Sequence, residues 1–222
     1  MIPITLILTV FLGASLVFFI PMNQKFTKLL LAFSGAFLLA IVLFHLLPEV
    51  YTVPEKSKTI SVFILLGLVA QMILEFFSDG VEHGHVHSHK QGVPILLLVS
   101  LMLHAFVEGM PISQQDNSFL IGILVHKLPI AIVITSFLKQ AEIATSKVII
   151  ILLLFALMAP LGSYLGDSIP YLKANEIYIE AIVIGVLTHV STTILYESSE
   201  NHKFNLIKFI IVLSAFILAY FL

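Results

Sequence analysis

Residues 93–111 read VPILLLVSLMLHAFVEGMP: nineteen positions, almost all apolar, with His104 and Glu108 set in their second half. A run of that length matches the ~20 residues a helix needs to cross the ~30 Å hydrocarbon core of a bilayer. Ionisable groups at such depth cost several kcal/mol unless something compensates them, so they mark function more often than packing. His104 and Glu108 are four residues apart and share one helix face. The next apolar run, near 118–138, contains a matching stretch: His126-Lys127-Leu-Pro129 follows the pattern of His104-Ala-Phe-Val-Glu108-Gly-Met-Pro111. His aligns with His and Ser113 with Thr135, a weak internal repeat. The two stretches run in opposite directions across the membrane, as the repeats of many transporters do.

The same pattern extends over the whole chain. Of 222 residues, 59% are hydrophobic and 11% charged, and the mean hydropathy is +1.08. Polar punctuation divides the sequence into eight apolar segments near 3–20, 27–47, 60–78, 93–111, 118–138, 147–166, 176–196 and 204–222. The expected fold is an all-α membrane protein of eight transmembrane helices, a single transmembrane domain over 1–222. Ile4 to Ile20 lacks a positive n-region and a small-residue cleavage site, so it reads as a first spanning helix rather than a signal peptide. Most connections are short, which predicts antiparallel packing of neighbours; the exceptions are 48–59 and 79–92.

With the N-terminus outside, seven lysines (Lys25, Lys28, Lys90, Lys139, Lys147, Lys203, Lys208) fall on the cytoplasmic side and three (Lys56, Lys58, Lys173) outside. This bias predicts a multi-pass protein of the plasma (inner) membrane with both termini outside. The six tyrosines fall near segment ends, where an amphipathic ring suits the interface. A net charge of −2 without a basic patch argues against nucleic acid as a partner. The absence of cysteine removes thiol ligands and thiol catalysis.

His104, Glu108 and His126 make a set of two imidazoles and one carboxylate. That set suits Zn²⁺, and also Fe²⁺ or Mn²⁺. Pro111 and Pro129 cannot bond the carbonyls of Val107 and Val125, leaving backbone oxygens beside candidate ligands. Further polar residues are candidates for a path. His45 pairs at i, i+4 with Glu49 and is either an outer mouth or a solvated helix end. His189 heads a stripe with Thr192, Thr193 and Tyr196, and either lines the path, relays a proton or packs by hydrogen bonds. Glu75, Glu197, Glu200 and His202 could pass metal inward, though a solvated turn is the simpler reading of each. Glu180 and Asp167 read as ordinary interfacial charges. The loop 79–92 carries His83, His85, His87 and His89, four histidines in seven residues, a composition that favours weak metal binding.

At these residues the chain resembles the ZIP (Zrt/Irt-like) family of metal transporters. His104, Glu108 and Gly109 match the family's helix-four motif, and His126 and Pro129 match that of helix five. The resemblance implies a 3+2+3 inverted-repeat bundle with a His-rich cytoplasmic loop after helix three. It also implies import of a divalent metal as transported substrate, with no prosthetic group and room for a homodimer. Three positions depart from the pattern: Ala105 stands where Asn would be, Lys127 where Asp or Asn is frequent, and Ile130 where Glu would be. Second-site ligands are thus missing. The expectation is a single metal site, with the Lys127 ammonium in the place of a second cation and Glu108 as its partner. The alternative for Lys127 is snorkelling to the outer interface. The competing function is an intramembrane zinc hydrolase, which lacks both a His-Glu-x-x-His helix and a free base once Glu108 is a ligand.

Overall fold

A computed structural model describes residues 2–19, 23–78, 95–112, 117–197 and 205–222, with the side chains of residues 24, 78 and 197 outside the description. Among the described residues there is no strand. Each apolar segment forms a helix: α1 Ile2–Phe19, α2 Gln24–Ile41, α3 Ser57–Ser78, α4 Ile95–Gly109, α5 Asn117–Gln140, α6 Thr145–Ser168, α7 Glu176–Glu197 and α8 Leu206–Tyr220. Six of these, including α2 with its extension to Val50, are long and apolar enough to cross a membrane; α4 and α8 are shorter apolar helices. Asn23 and Asn205 start α2 and α8, their side chains accepting from the N–H of Lys25 and Lys208 at 2.9 and 3.1 Å. Such caps satisfy donors that the first turn leaves open.

The chain is apolar outside as well as inside. Leu65, Leu66, Met72, Ile73 and Phe76 of α3 are all exposed. A helix apolar all round and uncovered by protein is a helix meant for lipid.

Two features are not legible in the sequence. α2 does not end in a plain α-turn: it widens to a π-turn over Val42–Leu46, then resumes as Leu47–Val50. Pro48 explains the widening, because it cannot donate to the carbonyl of Phe44 and its ring crowds that carbonyl. A short helix, Pro170–Ala174, also precedes α7.

Connection length does not decide the packing. The most extensive pairings are α3 with α7, α2 with α8, α4 with α6 and α1 with α5, none of them sequence neighbours. Small residues decide it instead, as expected where lipid gives no hydrophobic drive between helices. At the α3–α7 crossing a Cβ on Gly67 would strike the carbonyl of Ile182, and one on Gly185 the carbonyl of Ile64. Because backbone cannot yield as a side chain can, Gly185→Val should destabilise by about 1–3 kcal/mol or more. Thermal unfolding of the detergent-solubilised protein tests this; an unshifted transition would show that α3 and α7 do not approach so closely.

Two apolar clusters fill the interior. One gathers α2, α7 and α8 residues around Phe119 and Ile123; the other gathers α1, α4 and α6 residues around Ile130, Ala131 and Ile134. α5 contributes to both. His126 and Lys127 sit on α5 between its two contributions, at the junction of the clusters.

Candidate metal centre

His104 and Glu108 are one turn apart on α4, and both are buried. Their facing atoms, His104 Nε2 and Glu108 Oε2, are 3.5 Å apart. α5 brings His126 across to them, its ring centroid 6.2 Å from that of His104 and tilted by 73°. One donor atom from each of the three residues lies within 4.8 Å of the others. A zinc ion at its usual ~2.0 Å from each ligand would place tetrahedral ligands about 3.3 Å apart. The His104–Glu108 edge is already near that spacing at 3.5 Å, and the others are no longer than 4.8 Å.

Each of the three residues also has a buried ligand atom without a hydrogen bond: His104 Nε2, Glu108 Oε2 and His126 Nε2. Buried polar atoms normally find partners, and three orphans facing one point ask for a shared cation. The opposite nitrogens are engaged. His104 Nδ1 lies 3.1 Å from Gln71 Oε1 on α3, and His126 Nδ1 lies 3.2 Å from Ser34 Oγ on α2. An outer partner on Nδ1 fixes ring orientation and leaves Nε2 for the metal. Neither Gln71 nor Ser34 is among the candidates that the sequence singles out. The signal for Gln71 was present: an amide four residues before Glu75 in an otherwise apolar run puts two polar groups on one face.

Lys127 does not snorkel. It is 1% exposed, and its ammonium donates to Glu108 Oε1. It also lies 5.4 Å from the centroid of the Phe155 ring on α6, where the ring quadrupole favours a cation. The carboxylate of Glu108 is thereby divided. Oε1 faces the ammonium, and Oε2 faces the imidazoles. Ala105 and Ile130, at the other departing positions, are buried and apolar.

The remaining candidates separate. His189 on α7 meets Glu75 on α3, its Nε2 bonded to Glu75 Oε2. The solvated-turn reading of Glu75 therefore gives way to an interhelical pair. The stripe beyond His189 does not continue inward: Thr192 bonds its own helix carbonyls at 2.7 and 3.0 Å, and Tyr196 is exposed. His45 lies in the π-turn, with Nε2 3.3 Å from the carbonyl of Ala219 on α8. Glu180 is buried within the protein, whereas Asp167 is an exposed partner of Lys173 at 2.7 Å. Val107's carbonyl is not left open by Pro111: α4 ends at Gly109, and Met110 N–H donates to it at 3.1 Å. Pro129 does lie inside α5. The loop histidines His83, His85, His87 and His89, with His202 and the Glu197 side chain, lie outside the described residues. Among the described residues, His104, Glu108 and His126 form the one group able to hold a metal ion through three ligands.

The chain has measurable relatives. A family model described as ZIP zinc transporter matches residues 79–222. Over 92 residues the chain is 34% identical to zinc transporter ZIP1 of Danio rerio, a match covering 38% of this chain and 30% of that protein. Over 111 residues it is 28% identical to protein zntD of Dictyostelium discoideum, covering 39% of this chain and 16% of that protein. The matched stretch thus spans under a third of either relative's length.

Proposed function

The chain belongs to the ZIP zinc transporter family, and on that premise we propose that it carries a divalent transition metal, zinc foremost, toward the cytoplasm through one site formed by His104, Glu108 and His126. The observation that carries this reading is the convergence of three buried donor atoms from two helices at one point. The family is one of transporters rather than enzymes, and the multi-pass helical architecture is a membrane protein's. A hydrolase would need a base near the metal, and at this site Glu108 gives one oxygen to Lys127 and the other to the metal.

The site has chemistry suited to carriage. Neutral imidazoles and a carboxylate shared with an ammonium bind a divalent ion without enclosing it in charge, and a fourth position is left for water. Protonation of the imidazoles competes with the metal, which offers a release route. Iron and manganese share enough of this ligand preference to be competing substrates. On the inner half of the path we place Glu75 with His189, then Glu197, His202 and the loop histidines as weak acceptors. His45 belongs to the outer half. The lysine bias supports both termini outside, in the plasma (inner) membrane.

Zinc uptake into proteoliposomes, with Fe²⁺ and Mn²⁺ as competitors, tests the function. Metal analysis of the purified protein tests the single site: one tightly held zinc per chain is expected. Two per chain would mean that Lys127 does not take a cation's place.

A further inference from the structure

We propose that Gln71 is a positioning residue that holds His104 with a neutral acceptor and thereby keeps metal affinity low enough for release. The proposal rests on the reading of His104, Glu108 and His126 as the metal site. Gln71 is 0% exposed, on a helix whose neighbours Met72 and Ile73 face lipid. A primary amide is placed in such an interior only against a partner. Its Oε1 lies 3.1 Å from His104 Nδ1, so the ring donates there and turns its Nε2 lone pair toward Glu108 Oε2 at 3.5 Å.

The chemical identity of that acceptor matters. Ligand imidazoles in tight metal sites commonly donate Nδ1–H to a carboxylate, which raises the electron density at Nε2 and strengthens the metal bond. A neutral amide fixes the same tautomer and the same ring plane with much less push. Helix α3 could carry an acid at this depth, since Glu75 stands one turn further along it. The other imidazole follows the same rule: the partner of His126 Nδ1 is the Ser34 hydroxyl, also neutral. Both rings are therefore oriented from α3 and α2 through neutral partners. A site that must bind and let go within each transport cycle requires orientation without excess affinity.

Two substitutions with opposite expected signs separate this role from simple packing. Zinc affinity is measured on the full-length protein in nanodiscs by competition with a fluorescent chelator, and uptake kinetics in proteoliposomes. Gln71→Leu removes the acceptor and should weaken zinc binding roughly 10–100-fold. Gln71→Glu places a carboxylate behind the ring and should tighten binding about tenfold, with KM and kcat falling together because release slows. A packing role would weaken both variants alike, and that result, or wild-type affinity in both, overturns the proposal. Should Gln71→Glu not be recoverable, Gln71→Asn, too short to reach Nδ1, takes its place: a loss like that of Gln71→Leu supports the role, and unchanged affinity overturns it. His104→Ala runs alongside. If it too binds zinc as the wild type does, the metal site itself is misplaced; if it loses zinc while the Gln71 variants do not, only the role of Gln71 falls.

Discussion

His126→Ala is expected to abolish transport and to weaken zinc binding by at least about 100-fold, or roughly 3 kcal/mol. The size follows from the geometry. His104 and Glu108 come from one helix, one turn apart, and His126 is the one member of the trio that α5 supplies. Without it the site has two protein ligands, one of them a carboxylate already shared with Lys127. Open zinc sites rely on three protein ligands with water completing the set. The protein should still fold, because His126 occupies the seam between the two apolar clusters and its loss leaves both of them intact. Chelator competition on purified protein gives the affinity, and radiolabelled zinc uptake gives the transport. A His126→Ala protein that binds zinc within a few-fold of the wild type would remove α5 from the site and leave two residues that cannot hold the ion alone.

The helices and the candidate ligands are legible in the sequence for one reason: lipid tolerates few polar groups, so each one that appears is informative. Among the described residues each apolar run is helical to within a few residues of its expected bounds, and His104, Glu108 and His126 are conspicuous as ionisable groups inside such runs. The outer partners were harder. Ser34 is a small hydroxyl of the kind that commonly packs inside membrane helices, and nothing in its own neighbourhood points to His126, ninety-two positions away. Gln71 and Glu75 share a face of α3, but which helix that face meets depends on packing. Short loops suggest that sequence neighbours pack together, but they do not set the pairings. Close approach at Gly67 and Gly185 sets them instead, and it is what carries His189 to Glu75. Lys127 could be read two ways, since a lysine near a helix start can snorkel. Only the position of Glu108 and Phe155 around its ammonium decides for burial.

Lys127→Met should be the most destabilising single change at the site when metal is absent. Glu108 and Lys127 are each 1% exposed, so removing the ammonium leaves a carboxylate buried without a counter-charge. Breaking a buried pair from one side costs about 3–5 kcal/mol, whereas replacing both partners by apolar or neutral groups is often close to neutral. Glu108→Gln should therefore be damaging for the opposite reason, stranding the ammonium, and the double variant Lys127→Met/Glu108→Gln should be more stable than either single one. Such strong non-additivity is the signature of a direct pair. Metal adds a second signature. In Lys127→Met the bound ion becomes the sole cation beside Glu108, so saturating zinc should raise the melting temperature of this variant more than that of the wild type. At a hundred times its dissociation constant zinc contributes about 2.7 kcal/mol to any form that binds it when folded; the variant should bind it tighter, because the competing ammonium is gone. The double variant, lacking the acid, should gain least. Thermal unfolding of the four proteins in detergent, with a chelator and with zinc, measures all of this. Additive losses in the chelator series, or an equal zinc response in wild type and Lys127→Met, would show that the ammonium does not stand in for a cation at Glu108.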